Sequence, residues 1–382
     1  MSAVQPLAPS AGSESARPAT TPPPAPLRVG ILGATGYVGA ELVRLLERHP
    51  NVRIVALAAR NREGVPVGEA FQHLAETGHR IDPSLPDPSA LDAAFIALPH
   101  GQAASIAPGL VAAGVLVVDL GADFRLADPA DYPTWYGLDH PAPELLPGGP
   151  GRPARDGSPA LTAAVYGLPE LHREDISRAR LIASPGCYPT ATILALAPLA
   201  RAGLIADVVV DAKSGVSGAG REPKLETHFG EANESVRAYG LGGHRHLAEM
   251  RQELRGLGVA PSVAAEMMFV PHLVPMTRGL LATCHLRTTR PVGQPEIDAL
   301  YASAYEDEPF VQVVPHSPAT KTVSGSNLAR VHARVDGGTG RVLALAVIDN
   351  LVKGAAGQAV QAFNVAAGLL ETTALEQLPL YP

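Results

Sequence analysis

Three residues, Cys187, His244 and His246, could carry covalent chemistry. Cys187 is one of only two cysteines in the chain and lies in Ser184-Pro185-Gly186-Cys187-Tyr188-Pro189-Thr190. Apolar runs flank it at 179–183 and 191–197, and Pro185 and Gly186 impose a turn between them. A thiol at such a strand-to-helix junction meets the positive end of the helix dipole, which favours thiolate. Thiolate is the nucleophilic form. A histidine can hold it as an ion pair and later give up a proton. His244 and His246 flank Arg245, and an extended segment would point both to one side. The residues alone do not choose between them. An ordinary cysteine is a small buried hydrophobe, so the weight rests on what surrounds this one.

The elements around these residues begin with a short β-branched strand at 27–32. It runs into Gly33-Ala34-Thr35-Gly36-Tyr37-Val38-Gly39 and an amphipathic helix at 40–47. This G-x-x-G-x-x-G stands in strand–turn–helix context, as a dinucleotide site requires. Gly33 makes the turn, Gly36 admits a pyrophosphate, and Gly39 lets the helix pack on the strand; the helix N-terminus receives the phosphates. A second strand at 51–59 ends in Arg60-Asn61-Arg62, with no carboxylate for a ribose 2′-hydroxyl. Two guanidinium groups suit a 2′-phosphate, so NADP is favoured over NAD.

Strands at 93–98 and 115–120 lead into Pro99-His100-Gly101 and residues 121–126, loops at the ligand-binding edge of an open sheet. Arg125 is a candidate anion ligand there, and His100 reads as pocket lining. Beyond Cys187, a strand at 208–212 ends in Lys213 and a Gly/Ser loop that is not a P-loop. Its backbone N–H groups and Lys213 are candidates to hold substrate oxygens. Strands at 265–271, 279–286, 312–315, 328–335 and 341–348 then follow with few helices, which suggests a mixed or antiparallel sheet. An amphipathic helix is expected at 354–370. The fold class is α/β, a dinucleotide-binding unit followed by an α+β unit.

The 382 residues suggest two domains. A net charge of −7 without a basic stripe argues against nucleic-acid binding. Two distant cysteines make neither a disulfide framework nor a metal site, and a reduced, cytoplasmic setting fits. Residues 1–26 read as a disordered tail lacking a signal peptide. The most apolar stretch, 103–120, is broken by Pro108 and Gly114 and is no membrane span. Residues 141–159 form a Pro/Gly/Arg loop. A short-chain reductase would need Tyr four residues before a lysine. Lys213, Lys224, Lys321 and Lys353 have Val209, Gly220, Ser317 and Asp349 there instead.

The motifs occur in a recognisable order. They are GATGYVGAELVRLL (33–46), ALPHG (97–101), DLGADFRL (119–126), YGLPEL (166–171), SPGCYPT (184–190) and SGVSGAGR (214–221). GHRH (243–246), FVPHLVPMTRG (269–279), VSGSN (323–327) and DNLVKGAAGQAVQAFN (349–364) complete the series. With them the chain resembles the N-acetyl-γ-glutamyl-phosphate reductases of arginine biosynthesis, within the aspartate-semialdehyde dehydrogenase superfamily. The resemblance covers nearly everything from Leu27 onward. It departs after the HRH motif, where the family usually has Pro-Glu-Ile and this chain has Leu247-Ala248-Glu249-Met250.

The resemblance implies a Rossmann-like NADP domain over 27–186, completed by a helix at 354–372, and a catalytic and dimerisation domain over 187–350. It implies a small-molecule substrate and a homodimer or homotetramer. Cys187 would displace phosphate from an acyl phosphate, and the resulting thioester would accept hydride from NADPH and collapse to the semialdehyde. His244 would be the acid/base and His246 an orienting or substrate group. Pro99, His100, Gly218 and Asn350 would line the cofactor site. Arg125 and Lys213 would meet phosphate, and Arg278 the substrate α-carboxylate. Two other readings compete: the same chemistry on an aspartyl or aminoadipyl phosphate, and a non-catalytic NADP-binding redox sensor. The sensor leaves Cys187 and the paired histidines unexplained.

Overall fold

The computed structural model describes residues 25–60, 62–153 and 160–381. Most of the expected tail, and residues 154–159 of the Pro-rich loop, lie outside the described residues. The first sheet contains β1 (Leu27–Leu32), β2 (Val52–Ala58), β3 (Ile81–Asp82), β4 (Ala93–Ile96), β5 (Leu116–Asp119), β6 (Val165–Tyr166) and β7 (Leu181–Ala183). Their order is β3-β2-β1-β4-β5-β7-β6, and every neighbouring pair is parallel. Chain order reverses at β1, between β2 and β4. The crevice for a ligand therefore opens beyond the C-terminal end of β1.

The glycine turn follows there. Gly33 has φ +85°, a left-handed conformation, and a Cβ on it would lie 2.2 Å from the Ala97 carbonyl oxygen. A Cβ on Gly39 would lie 2.2 Å from the Gly33 carbonyl oxygen. Helix α1 (Tyr37–Leu46) can thus pack close behind β1 only with glycine at these positions. It begins three residues earlier than its apolar pattern suggests, because the turn itself supplies its first residues.

The second sheet runs through β8 (Ile205–Gly215), β9 (Arg237–Ala238), β10 (Met268–Val274), β11 (Leu280–Thr288), β12 (Val311–Val313), β13 (Ala329–Val335) and β14 (Val342–Ile348). Its order is β12-β13-β14-β11-β8-β10-β9, mixing parallel and antiparallel pairs. The strand expected at 265–271 starts only at Met268, since Pro261 opens a short helix, Pro261–Glu266.

Alternate strand residues such as Val208, Val210, Ala282 and Ala344 are buried in one core with Ile193, Leu194 and Leu196. These last belong to α2 (Cys187–Arg201), whose residues from Tyr188 to Ala200 are all buried. A helix apolar all round belongs in a core. The helix expected at 354–370 is two pieces: a π-helical turn, Val352–Ala356, and then α3 (Gly357–Ala366). Phe363 of α3 packs on Phe95 of β4, with ring centroids 5.4 Å apart, so the chain ends against the first sheet. No described helix is long and apolar enough to cross a membrane.

Candidate active site

Strand β7 ends at Ala183, the chain turns through Ser184, Pro185 and Gly186, and α2 begins at Cys187 itself. Gly186 is extended, no side chain caps the helix, and its first residue Cys187 lines the cleft described below. The turn is held from behind by Glu249, which is wholly buried on the helix His246–Gly256. Its carboxylate accepts from the Gly186 amide (3.0 Å), the Tyr166 hydroxyl (3.1 Å) and Arg125 (3.1 Å). Arg125 also donates to the carbonyls of Ser184 (2.8 Å) and Leu120 (2.9 Å). Removing one partner of such a buried pair strands the other charge, at about 3–5 kcal/mol.

His246 presses on the turn from the front. A Cβ on Gly186 would lie 2.5 Å from its Nε2, so glycine makes room for the imidazole. Nε2 is 4.0 Å from Glu249, and the His246 amide donates to His244 Nδ1 at 3.2 Å. The two imidazole centroids are 4.7 Å apart, and His244 is ringed by Tyr188, Tyr239 and Phe269. The histidines do share a side, though not through an extended strand: His246 is the first residue of its helix.

Charge follows burial. Burial holds His246 well below the usual imidazole range, helped by His244 and Arg125; burial and Arg245 lower His244 to about 4. Both imidazoles are neutral at pH 7. Burial also pushes the Cys187 thiol up to about 11, against the backbone amide of Tyr188 and the charge of Arg125. The thiolate expected from the helix dipole is therefore not the resting state, because desolvation outweighs the dipole here.

One cleft of about 530 Å³ joins the glycine turn to this centre. Gly36, Tyr37, Val38, Gly39, Pro99, His100, Gly218 and Asn350 line it together with Cys187 and His246. Gly33, Ala34 and Thr35 form the turn beneath. The donor set fits a dinucleotide: α1 has no side-chain cap or first-turn carboxylate, and its N-terminal amides open on the cleft. Arg60 is exposed just past the end of β2. Asn350 is engaged in holding the wall, taking the Gly279 amide (2.7 Å) and donating to Ser217 (2.9 Å). Arg221, which the motif reading left without a role, reaches the Thr35 and Ala70 carbonyls and stacks 4.1 Å over Phe71.

The three expected anion ligands are each paired with a carboxylate of the protein, and Arg125 also lines the cleft beside Cys187. Arg125 is committed to Glu249 and two carbonyls, as above. Lys213 pairs with Asp211 and projects from the face of β8 opposite Ser214, which lines the Cys187 cavity. Arg278 binds Glu41 (2.8 Å) and Asp349 (3.4 Å), tying α1 to the end of β14. The cations that line the Cys187 cavity are Lys224, Arg237 and Arg245. Only Arg245 carried a signal, as the centre of the HRH motif. Lys224 lies in an irregular excursion and Arg237 opens the two-residue strand β9, too short for periodicity to place it.

The fold and this site define a semialdehyde dehydrogenase. Residues 28–179 match the NAD binding domain of that family, and 187–350 its dimerisation domain. Solved structures of similar fold include aspartate semialdehyde dehydrogenase II from Vibrio cholerae (TM-score 0.65, 20% identity, 90% of this chain and 98% of that one). Another is the Candida albicans aspartate semialdehyde dehydrogenase with NADP (TM-score 0.64, 18% identity, 90% and 99%). In sequence the chain is 48% identical to the N-acetyl-gamma-glutamyl-phosphate reductase of Halorhodospira halophila, over 93% of this chain and 100% of the relative. It is 47% identical to that of Desulforudis audaxviator, with the same coverage. The chain belongs to the N-acetyl-gamma-glutamyl-phosphate reductase family.

A thiol raised to about 11 is protonated at pH 7, and alkylation requires thiolate. Iodoacetamide labelling of Cys187 in the free protein should therefore climb steadily with pH from 7 to 10. Mass spectrometry of the labelled peptide measures this, and a plateau already reached by pH 7.5 would contradict it.

Proposed function

We propose that the chain reduces N-acetyl-γ-glutamyl phosphate to N-acetylglutamate 5-semialdehyde and phosphate with NADPH, the reductive step its family serves in arginine biosynthesis. The carrying observation is one cleft that presents a glycine-turn dinucleotide site, a cysteine at a helix start and the neutral imidazole of His246, with neutral His244 lining the adjoining cavity on Cys187.

Cys187 Sγ attacks the acyl carbon. As the C–S bond forms, the thiol proton passes to an imidazole, and the C–O bond to phosphate breaks with its electron pair on phosphate. A histidine held neutral by burial is a free base at this moment, which a protonated one would not be. We assign this role to His246, because its Nε2 lies against Gly186, next to the nucleophile. This revises the lean towards His244, whose ring packs among Tyr188, Tyr239 and Phe269. The backbone amides at the start of α2 face the developing oxyanion. Lys224, Arg237 and Arg245 supply the positive charge for a substrate bearing phosphate and carboxylate.

NADPH, when bound along the glycine turn, supplies the hydride that reduces the thioester. The imidazolium of His246 then donates its proton towards the oxyanion of the thiohemiacetal on Cys187. Collapse breaks the C–S bond, re-forms the carbonyl and returns the thiol. Arg60 would read the 2′-phosphate. We read the assembly as a homodimer or homotetramer in the cytoplasm. Its contact surface would be the outer face of the second sheet, where Val209, Leu281, Leu343 and Leu345 are half-buried.

Cys187→Ala should bind NADPH as the parent does and show no turnover; retained activity would end the mechanism. In the reverse direction, N-acetylglutamate semialdehyde with phosphate should reduce NADP, and aspartate semialdehyde should not. Reduction with the aspartyl compound alone would overturn the substrate. Arg60→Ala should weaken NADPH binding by about tenfold or more while sparing NADH, since it removes a charge-assisted contact to phosphate; equal losses in a titration would refute that role. Leu345→Lys should shift the mass measured by light scattering towards the monomer. An unchanged mass would place the interface elsewhere.

A further inference from the structure

Against the nucleophile lies the π-helical turn Val352–Ala356. A Cβ on Gly354 would fall 2.8 Å from Cys187 Cβ, so the turn bears directly on the cysteine. Such π-turns cost regular hydrogen bonding and tend to occur at functional sites. This one is anchored twice at its start. Asp349 accepts from the amides of Leu351 (2.8 Å), Val352 (3.1 Å) and Gly325 (2.7 Å). Lys353, the second residue of the turn and wholly buried, donates to Glu170 (2.5 Å) and to Gln361 Oε1 (2.7 Å). Gln361 in turn donates to Glu170 (3.1 Å) and accepts from Asn327 (2.9 Å).

The cluster therefore joins three separate parts of the chain. Glu170 comes from the helix Pro169–Ile176 beside the first sheet, Gln361 from α3, and Lys353 from the turn itself. Lys353 and Glu170 do not line the cleft; Gly354 and Ala355 do. For stability alone, apolar residues would serve as well as a buried ion pair. A directional pair does what apolar packing cannot, which is to set the rotation of one turn against a fixed partner.

We propose that Lys353 and Glu170 are positioning residues for Cys187, setting its place in the cleft through Gly354. This rests on Cys187 being the nucleophile. A displacement of about 1 Å at a reacting atom costs on the order of 100-fold in rate. Breaking the pair should thus reduce kcat far more than it alters substrate KM.

The test compares Lys353→Met, Glu170→Gln and the apolar double variant Lys353→Met/Glu170→Met, with Cys187→Ser alongside. Each is read by melting temperature, NADPH titration, kcat and KM, and the variants that keep Cys187 also by its iodoacetamide labelling rate. Labelling needs no turnover. The double variant, which leaves no stranded charge, should melt near the parent and bind NADPH within about threefold. It should still lose roughly 100-fold in kcat with little change in KM, the mark of an interaction made in the transition state. Its Cys187 labelling rate should differ severalfold from the parent, and Glu170→Gln should fall between the two. If the double variant regains both parental kcat and labelling rate, the pair only fills space and the proposal fails. Should Lys353→Met not fold, the double variant and Glu170→Gln decide. Activity retained by Cys187→Ser would instead sink the nucleophile. An inactive Cys187→Ser beside fully active Lys353 and Glu170 variants would sink this inference alone.

Discussion

The buried pair of Glu249 and Arg125 organises the centre. A carboxylate and a guanidinium out of water are costly unless each is well bonded. Here both are, and every partner belongs to the nucleophile's surroundings: the Gly186 amide, the Ser184 and Leu120 carbonyls and the Tyr166 hydroxyl. The pair joins the loop after β5, the turn after β7 and the helix that carries His246. It makes the first sheet and the second domain share one turn. Loss of either charge would move Cys187 and His246 together.

That arrangement explains the resting charge state. The groups nearest the reaction are desolvated, so thiol and imidazoles rest neutral. A permanently ionised thiolate would be exposed to oxidants and other electrophiles between turnovers. A neutral thiol beside a neutral base ionises only as attack proceeds, when the proton has somewhere to go. The same burial that raises the one group lowers the other, so a single cause prepares both partners.

Much of this was legible in the residues. The glycine turn could be read because Gly33 and Gly39 answer local steric demands, which leave a spacing in the sequence. Cys187 stood out because a proline and a glycine precede it between two apolar runs. The run of strands that makes the second sheet was equally plain, and β8 is only longer than its most apolar core. Charged side chains were harder. Arg125, Lys213 and Arg278 each have the right chemistry in the right motif, and each is also paired with a carboxylate of the protein: Glu249, Asp211 and Glu41. A guanidinium reads the same in sequence whether its partner is a substrate or Glu41. Only the tertiary arrangement separates these cases.

The strand expected at 265–271 starts late and the helix expected at 354–370 is split, for a related reason. Both are apolar stretches in which a local event, Pro261 in one and the anchored π-turn in the other, overrides periodicity. The second is the more telling. Lys353 and Gly354 are adjacent in it, yet the lysine reaches the buried Glu170 beside the first sheet while the glycine backbone stays against Cys187 at the head of α2. Through these two neighbours the last segment of the chain bears on the first sheet and on the nucleophile's helix at once.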